Sequence, residues 1–143
     1  MIALDTNILV YSHRPEMPFH GRAVDVVRKL AEGQEPWGIP WPCIHEFLAI
    51  ATHPRIFVQP TPMADALRQV AFWRASSTLR LLGESTGYFS VLQSVLERAE
   101  VSGPRTHDAR IAAICIANGV GELWSADRDL SRFTGDLRIR NPL

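Results

Sequence analysis

At 143 residues, 46% hydrophobic and 21% charged, the chain has the size and apolar content of one compact domain over 1–143 and excludes a disordered tail or a multidomain assembly. Its 15 basic and 15 acidic residues cancel, which excludes the broad positive field of a sequence-blind nucleic-acid binder and confines any such contact to a local groove. Two isolated cysteines, Cys43 and Cys115, exclude a disulfide framework, and no apolar run approaches the roughly 20 residues of a membrane span, so a soluble, cytoplasmic protein is expected.

In chain order, Ile2-Ala3-Leu4 predicts a short strand stopped by Asp5-Thr6-Asn7, and Ile8 to Tyr11 open a buried helix. Pro15 and Pro18 mark a loop, after which Ala23, Val26, Val27 and Leu30 recur at the spacing of one helical face, with Gly33 as the stop. Trp37-Gly38-Ile39, bracketed by Pro36 and Pro40, predicts a strand. Pro42 suits a first helical position, and Ile44, Phe47, Leu48 and Ala51 continue that helix to His53-Pro54, which places Glu46 in its first turn or two. Thr61-Pro62 opens a further helix carrying Leu67, Val70 and Ala71, which should pack beside the previous one. Thr78 to Leu82, bounded by Gly83, predicts a strand, and Phe89, Leu92, Val95, Leu96 and Ala99 an amphipathic helix closed by Gly103-Pro104. Thr106 is expected to cap the next helix, with Asp108 as its second or third residue and a buried stripe of Ile111, Ala112, Cys115 and Ile116. Val120–Trp124 then predicts a strand, Ser125–Asp129 a polar turn, Leu130–Phe133 a short helical piece and Leu137–Arg140 a last strand.

Strands alternating with helices imply an α/β fold whose parallel strands are joined by right-handed crossovers, with function at the strands' carboxyl ends. Four acids fall where that rule points: Asp5 after the first strand, Glu46 and Asp108 near helix starts, and Asp127 after a late strand. Gathered on one rim, pairs about 4 Å apart at an effective dielectric near 20 would repel by about 4 kcal/mol. A hard divalent cation such as Mg²⁺ or Mn²⁺ offsets that repulsion better than protonation, whereas zinc lacks the His and Cys spacings it needs. Such a site activates water and stabilises a phosphodiester undergoing hydrolysis. No G-x-S-x-G elbow, Walker loop or G-x-G-x-x-G supports a rival chemistry.

The stretches "ALDTNILVYS" with Asp5, "IHEFLAIATHP" with Glu46, "THDARIAAI" with Asp108, "LWSADRDLSRF" with Asp127 and Asp129, and the closing "LRIRNPL" resemble the PIN-domain nucleases. Within them they resemble the VapC toxins of bacterial type II toxin–antitoxin systems, in the same order over nearly the whole chain. The resemblance implies a three-layer α/β/α sandwich around a parallel sheet of four to five strands. It implies an Mg²⁺-dependent endoribonuclease, with Mn²⁺ as possible substitute, that leaves a 3′-hydroxyl and a 5′-phosphate. A structured RNA such as tRNA would be the substrate, a cognate antitoxin would inhibit the active site, and the protein would be a homodimer. Carried over by motif, Asp5, Glu46, Asp108 and Asp127 form the catalytic and metal-binding quartet, with Asp129 able to replace or support Asp127. Ser125 matches the family's small hydroxyl residue, and Leu130 departs from the pattern where Phe is common.

Asn7 either orients a metal-bound water or pairs with its own backbone, and Arg110 and Arg128 are candidates to hold RNA phosphate. His107 at a helix start is read as solvated, and Trp37, Trp41, Trp73 and Trp124 chiefly as packing residues. Two alternatives share these residues: a non-catalytic module whose acids only cap turns, and a DNase using the same acidic site, since nothing here reads a 2′-hydroxyl.

Overall fold

The computed structural model describes residues 1–133 and 135–143. Five strands, β1 (Ile2–Leu4), β2 (Trp37–Pro40), β3 (Leu79–Leu82), β4 (Glu122–Trp124) and β5 (Arg138–Arg140), form one sheet in the order β3-β2-β1-β4-β5. Every pairing is parallel, with Ala3 opposite Gly38 on one side and Leu123 on the other. The helices are α1 (Thr6–His13), α2 (His20–Glu32), α3 (Trp41–Ala51), α4 (Met63–Arg74), α5 (Tyr88–Arg98) and α6 (Thr106–Ala117). Short 3₁₀ turns occupy Gly103–Arg105 and Arg128–Phe133.

The strand order divides the helices between the two faces. From β1 to β2 to β3 the chain steps one way, and from β3 it returns past β1 to β4 and β5. Right-handed crossovers then put α1 to α4 on one face and α5 and α6 on the other. The contacts agree, α1 packing on α2 and α3, α3 on α4, and α5 on α6. A buried core of Leu4, Ile8, Trp37, Ile39, Phe47, Ile114 and Leu123 joins the layers. No helix among the described residues is long and apolar enough to cross a membrane.

Three local outcomes differ from the sequence expectation. Strand β2 includes Pro40, whose position opposite Leu82 costs only a hydrogen bond at the strand's end. Helix α3 therefore begins at Trp41, one residue before Pro42. Thr106 does not cap α6: the 3₁₀ turn runs straight into the helix, so the Thr106 N–H is taken by the carbonyls of Gly103 and Pro104, and Thr106 becomes the first helical residue.

Beyond α5, Glu100 adopts the left-handed conformation (φ 52°) while the Val101 N–H returns to the Leu96 carbonyl, a helix-ending turn that favours glycine. Glu100→Gly is therefore expected to stabilise the protein by about 0.5–1 kcal/mol, raising Tm by about 2–4 °C in a thermal melt.

Candidate active site

The chain reverses direction across the sheet between β1 and β4, so the crevice at the carboxyl ends of these neighbours is the topological switch point. Asp5 leaves β1 there and Ser125 leaves β4. The Asp5 N–H donates to the Trp124 carbonyl at 3.0 Å, and Ser125 Oγ donates to Asp5 Oδ2 at 2.7 Å.

Asp5 is only 6% exposed and its carboxylate meets four donors. Oδ1 accepts from the Thr6 N–H at 2.7 Å and from the Cys43 thiol at 3.6 Å, and Oδ2 accepts from Ser125 and from Asn7 Nδ2 at 3.0 Å. Asp5 thus also serves as the N-cap of α1, the structural role expected of an acid after a strand. Burial pushes its pKa up, the Ser125 and Thr6 bonds oppose that, and the charge of Glu46 adds to the rise. Burial likewise pushes the Cys43 thiol well up, so it remains a neutral S–H donor.

Glu46 lies on the second turn of α3, its Oε2 accepting from the Thr6 hydroxyl at 2.7 Å. Asp108 is the third residue of α6. Desolvation raises its pKa first, and Asp127, Glu46 and Asp129 raise it further against the pull of Arg105. Asp127 follows β4, its N–H donating to Ser125 Oγ and its Oδ1 accepting from the Asp129 N–H at 2.8 Å. Asn7 resolves as a strut: besides Asp5 it donates to Ser125 Oγ, and its Oδ1 accepts from the Ala126 N–H, joining β1's exit to β4's.

Asp5, Glu46, Asp108 and Asp127 all line one concavity of about 300 Å³, walled by Tyr11, Met17 and Ile111. Asp129 does not line it and is drawn to Arg105 at 3.5 Å. Of the candidate RNA-binding residues, Arg110 is tied to Glu84 at 2.5 Å, whereas Arg128 is exposed and has no ion pair among the described residues. Arg105 is the cation the sequence reading missed; its place beside Asp108 depends on the turn before α6. His107 is exposed, and Trp37 and Trp73 are core residues.

The acids are less tightly gathered than the sequence argument supposes. Among the described residues no three His, Cys, Asp or Glu side chains are grouped closely enough to hold an ion as they stand. The carboxylates feel one another's charge, as Asp5 and Asp108 show, yet three of them are satisfied by hydrogen bonds from Thr6, Asn7, Ser125 and the Asp129 backbone. The donor chemistry still fits a hard divalent ion, because Mg²⁺ keeps several waters and takes only one or two carboxylates directly. Asp5 and Asp108 are the two acids of the concavity whose carboxyls are held above the ordinary range, each by burial first and then by neighbouring carboxylates, Glu46 at Asp5 and Asp127 and Glu46 at Asp108.

Comparison with known proteins gives the relationship. Residues 2–136 match the PIN domain family. Ribonuclease VapC43 of Mycobacterium tuberculosis is 31% identical over 143 residues, covering 100% of this chain and 96% of its own. The fold resembles VapBC2 of Rickettsia felis, solved bound to a DNA fragment from its promoter, with TM-score 0.66, 20% identity and coverage of 99% and 98% of the two chains. It also resembles Mycobacterium tuberculosis VapC20, a toxin described as cleaving the sarcin–ricin loop, with TM-score 0.66, 17% identity and coverage of 92% and 93%.

Proposed function

Because the chain belongs to the PIN-domain family and to its VapC ribonuclease branch, we propose that it is the toxin of a toxin–antitoxin pair, an Mg²⁺-dependent endoribonuclease acting on a structured RNA such as tRNA. The observation that supports this most is the convergence of Asp5, Glu46, Asp108 and Asp127, from four separate elements, on one concavity at the switch point. A bound divalent ion supplies water activation and charge stabilisation at the phosphodiester.

The chain's own residues do the rest. Asn7 and Ser125 hold the Asp5 carboxylate in one orientation, Thr6 holds Glu46, and Asp108 and Asp127 approach from the other face of the sheet and from β4. Burial at Asp5, which is 6% exposed, strengthens the charge interactions of that carboxylate most. Purified protein is expected to cut RNA but not DNA of the same sequence in Mg²⁺, and to stop on chelation. Chelator-resistant cleavage, or cleavage of DNA alone, would refute the reading.

We infer that the antitoxin docks apart from the acids, on an apolar groove. A groove of about 470 Å³ between α1, α2 and α4, lined by Val24, Val27, Ala31 and Phe72, leaves Phe72 74% exposed. Saturating antitoxin is expected to suppress cleavage. Phe72→Asp should weaken the complex by about tenfold or more, the cost of losing a buried aromatic anchor, while leaving cleavage by free toxin intact. Calorimetric titration of the two toxins with antitoxin checks this.

A further inference from the structure

A carboxylate has room for about four hydrogen-bonding partners, two on each oxygen, and at Asp5 four donors fill it. The Thr6 N–H and the Cys43 thiol reach Oδ1, while Ser125 Oγ and Asn7 Nδ2 reach Oδ2. A cation that takes Asp5 as a direct ligand therefore has to exchange with one of them. The need for a local shift also follows independently, because among the described residues no three acids are grouped closely enough to hold an ion as they stand.

The four donors are not equally replaceable. Cys43 and Ser125 are 0% and 2% exposed, and neither lines the acid concavity. The Thr6 N–H is the main-chain group that Asp5 caps at the start of α1, bonded at 2.7 Å, so it moves only if the helix start unwinds. Asn7 combines a side-chain donor, a longer 3.0 Å bond and a place on the concavity wall.

Asn7 can also let go of Asp5 and stay anchored. The Ala126 N–H can only donate, which fixes Asn7 Oδ1 toward it and leaves the two Nδ2 hydrogens for acceptors, one on Asp5 Oδ2 and one on Ser125 Oγ at 3.0 Å. Releasing Asp5 costs the amide one bond and leaves the other two in place.

We propose that Asn7 is a placeholder for the divalent ion: its Nδ2 holds the position on Asp5 Oδ2 that the ion takes, and binding moves the amide off Asp5 while Ser125 and Ala126 keep it. The inference rests on the divalent-cation reading and adds to it that Asp5 is ligated directly, by exchange with Asn7, with no water between.

Two measurements without RNA test it. In the parent protein, proton–nitrogen correlation spectra followed through a Mg²⁺ titration should show one Asn7 Nδ2 hydrogen moving upfield as it leaves the carboxylate, with the other held on Ser125. Calorimetric titration with Mn²⁺ should show Asn7→Ala binding about tenfold more tightly than the parent, the scale of no longer giving up one hydrogen bond to a charged group. Ser125→Ala removes a donor from the same oxygen but not from the concavity wall, and should show no such gain. Asn7 resonances unmoved at saturating Mg²⁺ overturn the proposal. So does weaker Mn²⁺ binding by an Asn7→Ala protein that melts with the parent, since the amide would then serve the bound ion; where that variant melts lower, the parent spectra decide. Equal gains for the two variants overturn it as well, because the effect would then belong to the charge of Asp5 and not to the place Asn7 holds. A parent that binds neither ion removes the divalent-cation reading together with this inference, whereas binding with Asn7 unmoved removes the inference alone.

Discussion

Asp108→Asn is expected to lower RNA cleavage by at least about 10²-fold, the scale of losing one organised electrostatic contact, and at the same time to raise the melting temperature of the metal-free protein at pH 7. The two effects have one cause. Burial and the charges of Asp127 and Glu46 hold the Asp108 carboxyl above its ordinary pKa, so folding favours its protonated form. Through the interval between the unfolded and folded pKa values the native chain binds more protons than the unfolded one, and stability falls as pH rises across it. Above that interval the cost is fully present. An amide of the same shape removes it, and because the side chain is partly exposed the gain is that of a screened charge interaction, about 0.2–1 kcal/mol or about 1–3 °C. Thermal melts at pH 4 and pH 7 check the sign: the advantage of the variant should shrink at the lower pH. A lowered melting temperature at pH 7 would mean that the carboxylate serves the fold.

Ser125→Ala carries the second large effect. Ser125 Oγ donates to Asp5 and accepts from Asn7 and from the Asp127 N–H, so one buried hydroxyl links β1, α1 and the turn after β4. Its loss leaves the Asp127 N–H without that acceptor and Asp5 Oδ2 with only Asn7. The expected destabilisation is about 1–3 kcal/mol, the range for stripping partners from buried polar groups. Because the Ser125 bond opposes the upward shift of Asp5, its removal should lift the Asp5 pKa further, so urea denaturation should show a larger deficit at pH 8 than at pH 4. Ser125→Thr, which keeps the hydroxyl, should recover most of the loss. Equal deficits for the alanine and threonine variants would contradict this account of Ser125.

The contrast between Asp108 and Ser125 shows what the sequence makes legible. Asp108 is evident because local signals locate it: an apolar stripe at helical spacing fixes α6, and an acid in the first turn of a helix at a sheet's carboxyl edge has few roles. The same signals locate Asp5 and Glu46, and the strand and helix order alone leads to the α/β architecture. Legibility ends where placement depends on distant pairing. Ser125 and Asp5 lie 120 positions apart and meet only because β4 pairs with β1, so their bond and the Asn7 strut follow from register and leave no mark in spacing. Arg105 escapes for a related reason, since its approach to Asp129 follows from an uncapped 3₁₀ entry into α6 where composition predicts a Thr106 cap. The expectation of an acid cluster tolerable only around an ion overstates the crowding, because it counts repulsion and omits the donors that Thr6, Asn7 and Ser125 supply.

The central claim, that these four acids form a divalent-cation site, is tested most directly by growing crystals with Mn²⁺ and locating the metal by anomalous scattering. The account predicts a peak inside the concavity with the Asp5 carboxylate as a ligand and Asp108 turned toward it. Mn²⁺ bound only outside this concavity, or no peak there at millimolar metal, would contradict it.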